Sequence, residues 1–282
     1  MKPNLIIIGS QKCGTSSLHH YLELHPEVSM SDQKELDFFI DRENWQRGVH
    51  WYESQFTGNA KIHGESSPSY TMHPTFSDVP QRMHSLIPDA KLIYIVRDPI
   101  ERIVSHYLHQ WYGKRQNNTF FEVLADPTND KTRHYINTSS YHLQLSQYID
   151  FYNPSQICVI SLEDLKTSPE DTLGNVFRFL EVDDSFFPPE SATVVNATQS
   201  KMRRNRLGKF LLSKNPLMQS LHKMTGRILP VSAKSWTRSL MGEKQDRPEL
   251  SPQLRQMLQA ALHDDIAKFR ELTGQSFQQW SM

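Results

Sequence analysis

Three observations predict a three-layer α/β fold around a central parallel sheet. Short apolar runs alternate with segments of helical periodicity. The first run opens straight into a glycine loop, and the third is followed at once by a helix-start signal. Parallel sheets are covered on both faces, so their strands read as continuous apolar stretches.

The first predicted strand is 4–8 (NLIII), ending at Gly9. The second, 60–63, is short and stops at Gly64. The third, 91–96 (KLIYIV), is β-branched and aromatic and stops at Arg97. The fourth is 156–161 (QICVIS). Between them run helices. Asp98 is a capping residue and Pro99 suits a first helical position, after which Ile100, Ile103, Val104, Tyr107, Leu108 and Trp111 share one face. Over 169–180, Leu173, Val176, Phe177 and Leu180 do the same. A last helix carries Leu254, Leu258, Ala261, Leu262, Phe269 and Leu272 and is closed by Gly274.

The chain has 282 residues, a length that one α/β domain can absorb. No repeat or low-complexity tract marks a boundary, and the Pro- and Ser-containing stretch at 188–199 reads as a long loop. A single domain over 1–282 is therefore expected. Lys plus Arg equals Asp plus Glu at 31 each, which removes the electrostatic case for a nucleic-acid binder. The two cysteines, Cys13 and Cys158, are too few for a disulfide scaffold and are expected to be free thiols. There is no metal-ligand constellation, so no metal is expected. No run approaches the roughly 18 apolar residues of a membrane span, and 5–8 is too short for a signal core. A soluble, cytoplasmic protein is the expectation.

The sharpest feature is GSQKCGTSSL at 9–18. It follows a strand and opens a helix with Leu18, Tyr21 and Leu22 on one side. Such a loop offers unpaired amides and the positive end of the helix dipole to an anion. Lys12 adds a charge, and Thr15, Ser16 and Ser17 add hydroxyls. A phosphate is the expected guest, held from Gln11 through Lys12, Cys13, Gly14, Thr15 and Ser16 to Ser17. The Walker A pattern places Lys after the second glycine. Here Lys12 precedes Gly14, nearer a bridging or 5′-phosphate oxygen than a γ-phosphate. A second anion site is expected at Arg97, at the carboxyl end of a strand, with Ser105 two turns into the next helix on its polar side beside Arg102. A structural Arg97 paired with a carboxylate such as Asp98 is the alternative.

Together the two segments resemble the sulfotransferases that use 3′-phosphoadenylyl sulfate (PAPS). GSQKCGTSSL is similar to that family's 5′-phosphosulfate loop, and YIVRDPIERIVSHY to its 3′-phosphate motif, with Arg97 and Ser105 at matching positions. KELDFF at 34–39, WYESQF at 51–56, GESSPSY at 64–70, SYHLQL at 140–145 and ISLEDLKTSPEDTL at 160–173 resemble the branch containing heparan sulfate and many bacterial sulfotransferases. The likeness covers most of 4–180, and little can be placed from about 215 to 250.

The resemblance implies a P-loop-like topology and a PAPS-dependent transferase. It implies adenosine 3′,5′-bisphosphate (PAP) as product, with a glycan, lipid or small metabolite as acceptor. It makes Glu35 the base for the acceptor proton, and Lys12 is the candidate to stabilise the bridging oxygen. Pairing with Lys34 is the plain structural role for Glu35. Lys34, Asp37 and Glu65 are weaker candidates near the acceptor, Glu65 either touching the substrate or supporting the residues that do, and His63 is a reserve base. Two departures bear on the acceptor: Asp37 stands where relatives often have His or Gln, and Ser66 where they often have Lys. Two carboxylates two residues apart, Glu35 and Asp37, can raise one pKa toward neutrality.

The stretch 201–227 carries eight cations and no acidic residue, with apolar residues interleaved. The resemblance implies that Lys201, Arg203 and Arg204 close over the 3′-phosphate. A solvated helical face and a peripheral surface for anionic lipid or an acidic polymer are the other readings. Two rival functions are an ATP-dependent P-loop phosphotransferase and a non-catalytic nucleotide-binding protein. All of this requires Lys12 and Arg97 to lie close enough for one nucleotide to bridge them.

Overall fold

The computed structural model describes residues 1–113, 115, 117–126, 128–187 and 246–282, and the backbone alone of 203–204 and 242–243. Its centre is a five-stranded parallel sheet: β1 (Leu5–Gly9), β2 (Val28–Met30), β3 (Ile62–Ser66), β4 (Lys91–Val96) and β5 (Ile157–Ser161). The order β2-β3-β1-β4-β5 puts β1 in the middle, so the loop after it emerges at the sheet's centre. This is the P-loop-like arrangement that the resemblance implies.

Successive residues of a strand face opposite ways, and β1 and β4 supply both cores. Leu5, Ile7, Ile93 and Ile95 face α1 (Thr15–Glu23), through Leu18 and Leu22, and α9 (Pro169–Leu180), through Leu173, Val176 and Phe177. Ile6, Ile8, Leu92, Tyr94 and Val96 face the opposite layer. That layer holds α2 (Gly48–Glu53), α3 (Val79–Leu86), α4 (Pro99–Tyr112), α5 (Phe120–Leu124), α6 (Asp130–Asn137), α7 (Tyr141–Ile149) and α10 (Pro252–Thr273). The short α8 (Leu162–Thr167) follows β5 directly. Arg203–Arg204 and Gly242–Glu243 pair as a separate antiparallel sheet, β6 and β7.

The predicted third strand, α4 start, α9 span and Gly274 terminus agree with the observed elements, Gly274 taking the left-handed φ of 66°. Two strand expectations are corrected. The second strand runs 62–66, not 60–63, so Gly64 and Glu65 lie inside it. A Cβ on Gly64 would stand 2.7 Å from the Met30 sulfur and about 3 Å from Leu5, so close packing requires glycine there. The three-residue β2 is an addition to the four predicted strands. Among the described residues, no helix is long and apolar enough to cross a membrane.

Candidate functional site

The carboxyl ends of β1, β3 and β4 meet at one edge, where open α/β sheets bind ligands. Two glycines shape the loop after β1. A Cβ on Gly9 would come 1.9 Å from the Thr71 hydroxyl oxygen. Gly14 has φ 97° and caps α1, and a Cβ there would meet Leu162 at 2.7 Å. No side chain caps α1, and its first turn holds no acidic residue. The amides of Thr15 and Ser16, which a helix cannot satisfy internally, thus stand at the positive end of the helix dipole.

Not every residue from 11 to 17 has a group to offer. The Cys13 amide is spent on the Ser10 carbonyl (3.1 Å). Its thiol is buried 3.7 Å from the Tyr141 hydroxyl, and burial pushes the thiol's pKa up. Cys13 therefore packs the loop from beneath and does not bind through side chain or amide. The Ser17 amide is likewise bonded to the Gly14 carbonyl, which leaves its hydroxyl. Gln11, Lys12, Gly14, Thr15, Ser16 and the Ser17 side chain remain to line the loop.

Lys12 and Arg97 are neighbours rather than on opposite sides of the molecule. Arg97 Nη1 donates to the Lys12 carbonyl oxygen at 3.4 Å, across the gap between the two loops. Nη2 meets Glu101 at 3.4 Å, and Nε is buried without a partner. Glu101 is also bonded by Arg247, from the segment before α10. Asp98, the alternative partner of Arg97, instead caps α4 by accepting the Glu101 amide (2.9 Å). Ser105 is half-buried one turn beyond Glu101 on the same helical face. Lys201 lies outside the described residues. So do the side chains of Arg203 and Arg204 and every reading of 201–227 that rests on side chains.

Arg102 is a correction. It is not on a polar helix face but fully buried. It donates to the Ser139 hydroxyl, the Thr138 hydroxyl (2.7 Å), the Tyr135 carbonyl (3.1 Å) and, under the phosphate loop, the Gln11 carbonyl (3.4 Å). Its remaining neighbour, His106, is held neutral, with a pKa pushed well down by burial and by the Arg102 charge. These acceptors of Arg102 are all uncharged. Buried charges ordinarily find an opposite charge, and a bound anion above the loop would offer one. Composition cannot distinguish such an arginine from a solvated one, and the only sequence signal was its place in the helix next to Ile103.

On the acceptor side, Lys34 joins two predicted residues. Its Nζ lies 3.0 Å from Glu35 Oε1 and 3.5 Å from the Thr15 hydroxyl. Glu35 is exposed at the mouth of the site, at φ 62°, and Asp37 sits at φ 47°. Non-glycine residues in this region are strained, and the surroundings must hold them there. They do: the Glu35 amide donates to the Ser66 carbonyl (3.0 Å), that of Asp37 to the Ser67 hydroxyl (3.0 Å), and that of Phe39 to the Tyr70 hydroxyl (3.4 Å).

Beneath them lies Glu65, which is fully buried and so is not a substrate contact. Its carboxylate accepts from Tyr52 (2.7 Å), Tyr70 (2.9 Å) and Ser67 (2.9 Å). It thereby fixes the hydroxyls that fix the 35–39 loop. His63 lies two residues earlier in β3, farther from the carboxyl edge, with both ring nitrogens buried and unpartnered; it is not placed to serve as a base there.

Burial raises the Glu65 pKa from 4.5 to about 7, outweighing the three hydroxyls. Between those values the folded protein keeps a proton that the unfolded chain has released. Stability therefore falls as pH rises through that window, by about 3 kcal/mol for a shift of this size. Asp37, raised from 3.8 to about 6 by burial and by Glu35, adds a slope of the same sign. Urea unfolding at pH 5 and pH 8 should show the loss, and Glu65→Gln should remove most of the difference between the two. An equal difference in the variant would discard this account.

Comparisons with known proteins agree with the geometry. A family model described as Sulfotransferase domain matches residues 2–270, extending the recognisable region well past 180. Heparan sulfate glucosamine 3-O-sulfotransferase 5 of Mus musculus is 35% identical over 190 residues, 64% of this chain and 54% of that protein. Bifunctional heparan sulfate N-deacetylase/N-sulfotransferase 1 of Caenorhabditis elegans is 27% identical over 201 residues, 67% of this chain and 23% of that one. The chain thus spans about half the length of the first relative and under a quarter of the second. The crystal structure of a sulfotransferase from Alicyclobacillus acidocaldarius shares the fold, with TM-score 0.72 and 24% identity over all of both chains. With a matched domain covering nearly its whole length, on the expected parallel sheet, this chain belongs to the sulfotransferase domain family.

Proposed function

We propose that this protein transfers a sulfuryl group from PAPS to a hydroxyl or amine of an acceptor, leaving PAP. The observation that carries the reading is the meeting of an uncapped helix start, Lys12 and the partly unsatisfied Arg97 guanidinium at one sheet edge. The residues present fit the donor: open amides for one anionic end and Arg97 Nε for the other.

PAPS, when bound, supplies a sulfuryl group already joined to a good leaving group, its 5′-phosphate. The amides of Thr15 and Ser16 and their hydroxyls hold that phosphosulfate end. Arg97, with Ser105 one turn from its Glu101 partner, holds the 3′-phosphate. Arg203 and Arg204 are proposed to join them, with Lys201. Glu35 accepts the acceptor's proton as the acceptor oxygen or nitrogen bonds to sulfur. The electron pair of the breaking S–O bond stays on the phosphate oxygen, where Lys12 offsets the charge. The curated relatives are named for heparan sulfate, and a glycan is one acceptor class that this reading admits.

Thermal unfolding with PAP, and separately with ATP and Mg²⁺, tests the donor assignment. PAP alone should stabilise the protein, whereas stabilisation by ATP alone would replace this reading with a phosphotransferase. Lys12→Ala should lower turnover with labelled PAPS by roughly 10²–10³, the usual loss of one group that stabilises developing charge. A turnover unchanged in that variant removes Lys12 from the role.

A further inference from the structure

The sulfuryl-transfer reading leaves the acceptor open, and the inference here rests on that reading. We infer that the acceptor carries no anionic groups at the reacting end, and that Asp37 selects it by accepting a hydrogen bond from an acceptor hydroxyl or ammonium.

The charge of the loops around Glu35 is lopsided. Residues 31–41 hold Asp32, Glu35, Asp37 and Asp41 against one cation, Lys34, and 62–75 hold no Lys or Arg. Lys34 is already engaged with Glu35 and Thr15. The flanking guanidiniums of Arg42 and Arg82 reach back to the carbonyls of Thr75, Phe39 and Ser77. Within these described loops a polyanion would meet carboxylates with little to offset them, and like charge brought together in a partly dry site is the common means of rejecting a wrong partner.

Asp37 is more than one charge in that set. Its backbone is pinned to Ser67, which is itself held by the buried Glu65, so its position is rigid. One carboxylate oxygen, Oδ1, is buried with no hydrogen-bond partner, and the nearby Ser69 hydroxyl only partly offsets the burial of the group. A buried acceptor without a donor is costly, and a donor on the acceptor molecule would relieve that cost. Burial and the neighbouring Glu35 raise its pKa only to about 6, so near neutral pH it is largely the anion. An acceptor hydroxyl or ammonium satisfies it, whereas an acceptor carboxylate or sulfate cannot.

The test uses three oligosaccharides of equal length: a glucosamine tetramer (cationic), its N-acetylated form (uncharged), and a heparosan tetramer (anionic). Each is titrated calorimetrically into the full chain saturated with PAP, and each is offered to the enzyme with labelled PAPS. The heparosan tetramer should bind at least tenfold more weakly than the better of the other two. Asp37→Asn should shrink that ratio severalfold or more while PAP still stabilises the variant, which shows that it folds.

Heparosan bound as well as or better than the others overturns the inference. So does an unchanged ratio in the variant, or no binding of either non-anionic tetramer. Failure of PAP to stabilise the wild-type protein would instead strike the sulfuryl-transfer reading itself, so the two failures are distinguishable.

Discussion

Replacing Glu35 by glutamine should lower turnover by roughly 10²–10⁴, the range that a well-placed general base contributes, while PAP binding stays as it was. Glutamine keeps the length and the left-handed backbone position but cannot take a proton. The loss should therefore appear in kcat at saturating PAPS and not in nucleotide affinity. The side chain is exposed at the mouth of the site, with Lys34 between it and Thr15 at the start of α1. Lys34 thus ties the base to the helix that would hold the sulfuryl donor. A purely structural Glu35–Lys34 pair, exposed as this one is, would contribute little to stability. Under that alternative the variant would fold and turn over normally, and single-turnover transfer from labelled PAPS separates the two.

Arg97→Ala should weaken PAP binding by roughly 10²–10³. Charge-assisted hydrogen bonds are worth about 1.5–3 kcal/mol each, and two to one phosphate would account for a loss of that size. The effect should be confined to ligands with a 3′-phosphate: affinity for adenosine 5′-phosphate should change little, so the preference for PAP over that nucleotide should collapse. In the free protein Arg97 leans on Glu101 and on the Lys12 carbonyl at the same distance, 3.4 Å, and has a buried Nε without a partner. These are long contacts, compatible with a guanidinium that re-aims when a phosphate arrives. Isothermal calorimetry with the two nucleotides reads the ratio directly, and a preference for PAP that survives the substitution would place the 3′-phosphate elsewhere.

Much of the frame could be read without coordinates, because the determining forces there are local or periodic. The run KLIYIV is a strand buried on both faces and declares itself by continuous apolarity. Asp98-Pro99 starts α4 by a side-chain cap that depends only on the next three residues, and Gly274 ends α10 because glycine takes the left-handed turn at least cost. The loop after β1 and Arg97 stood out as anion-site candidates because a strand end followed by a helix start, with an adjacent cation, is the chemistry that anion binding calls for.

The burial and partners of Glu65, Arg102 and Cys13 were not legible in that way. Glu65 lies within a strand whose Gly-Glu-Ser sequence has little strand propensity. It is tolerated there because Tyr52, Tyr70 and Ser67, brought from elsewhere, satisfy its oxygens. Arg102 follows the polar period of its helix, yet carbonyls and hydroxyls from 11 and 135–139 close over it. Cys13 sits in a binding motif but turns inward to Tyr141.

The sequence by itself thus determined four of the five central strands and the helix starts beside them, and it singled out the loop after β1 as the candidate anion site, since caps, periodicity and loop chemistry act over a few residues. Only the tertiary structure decided which charges are buried and which face the site. The cost of burying a charge depends on partners that arrive from distant parts of the chain, and no local pattern encodes them.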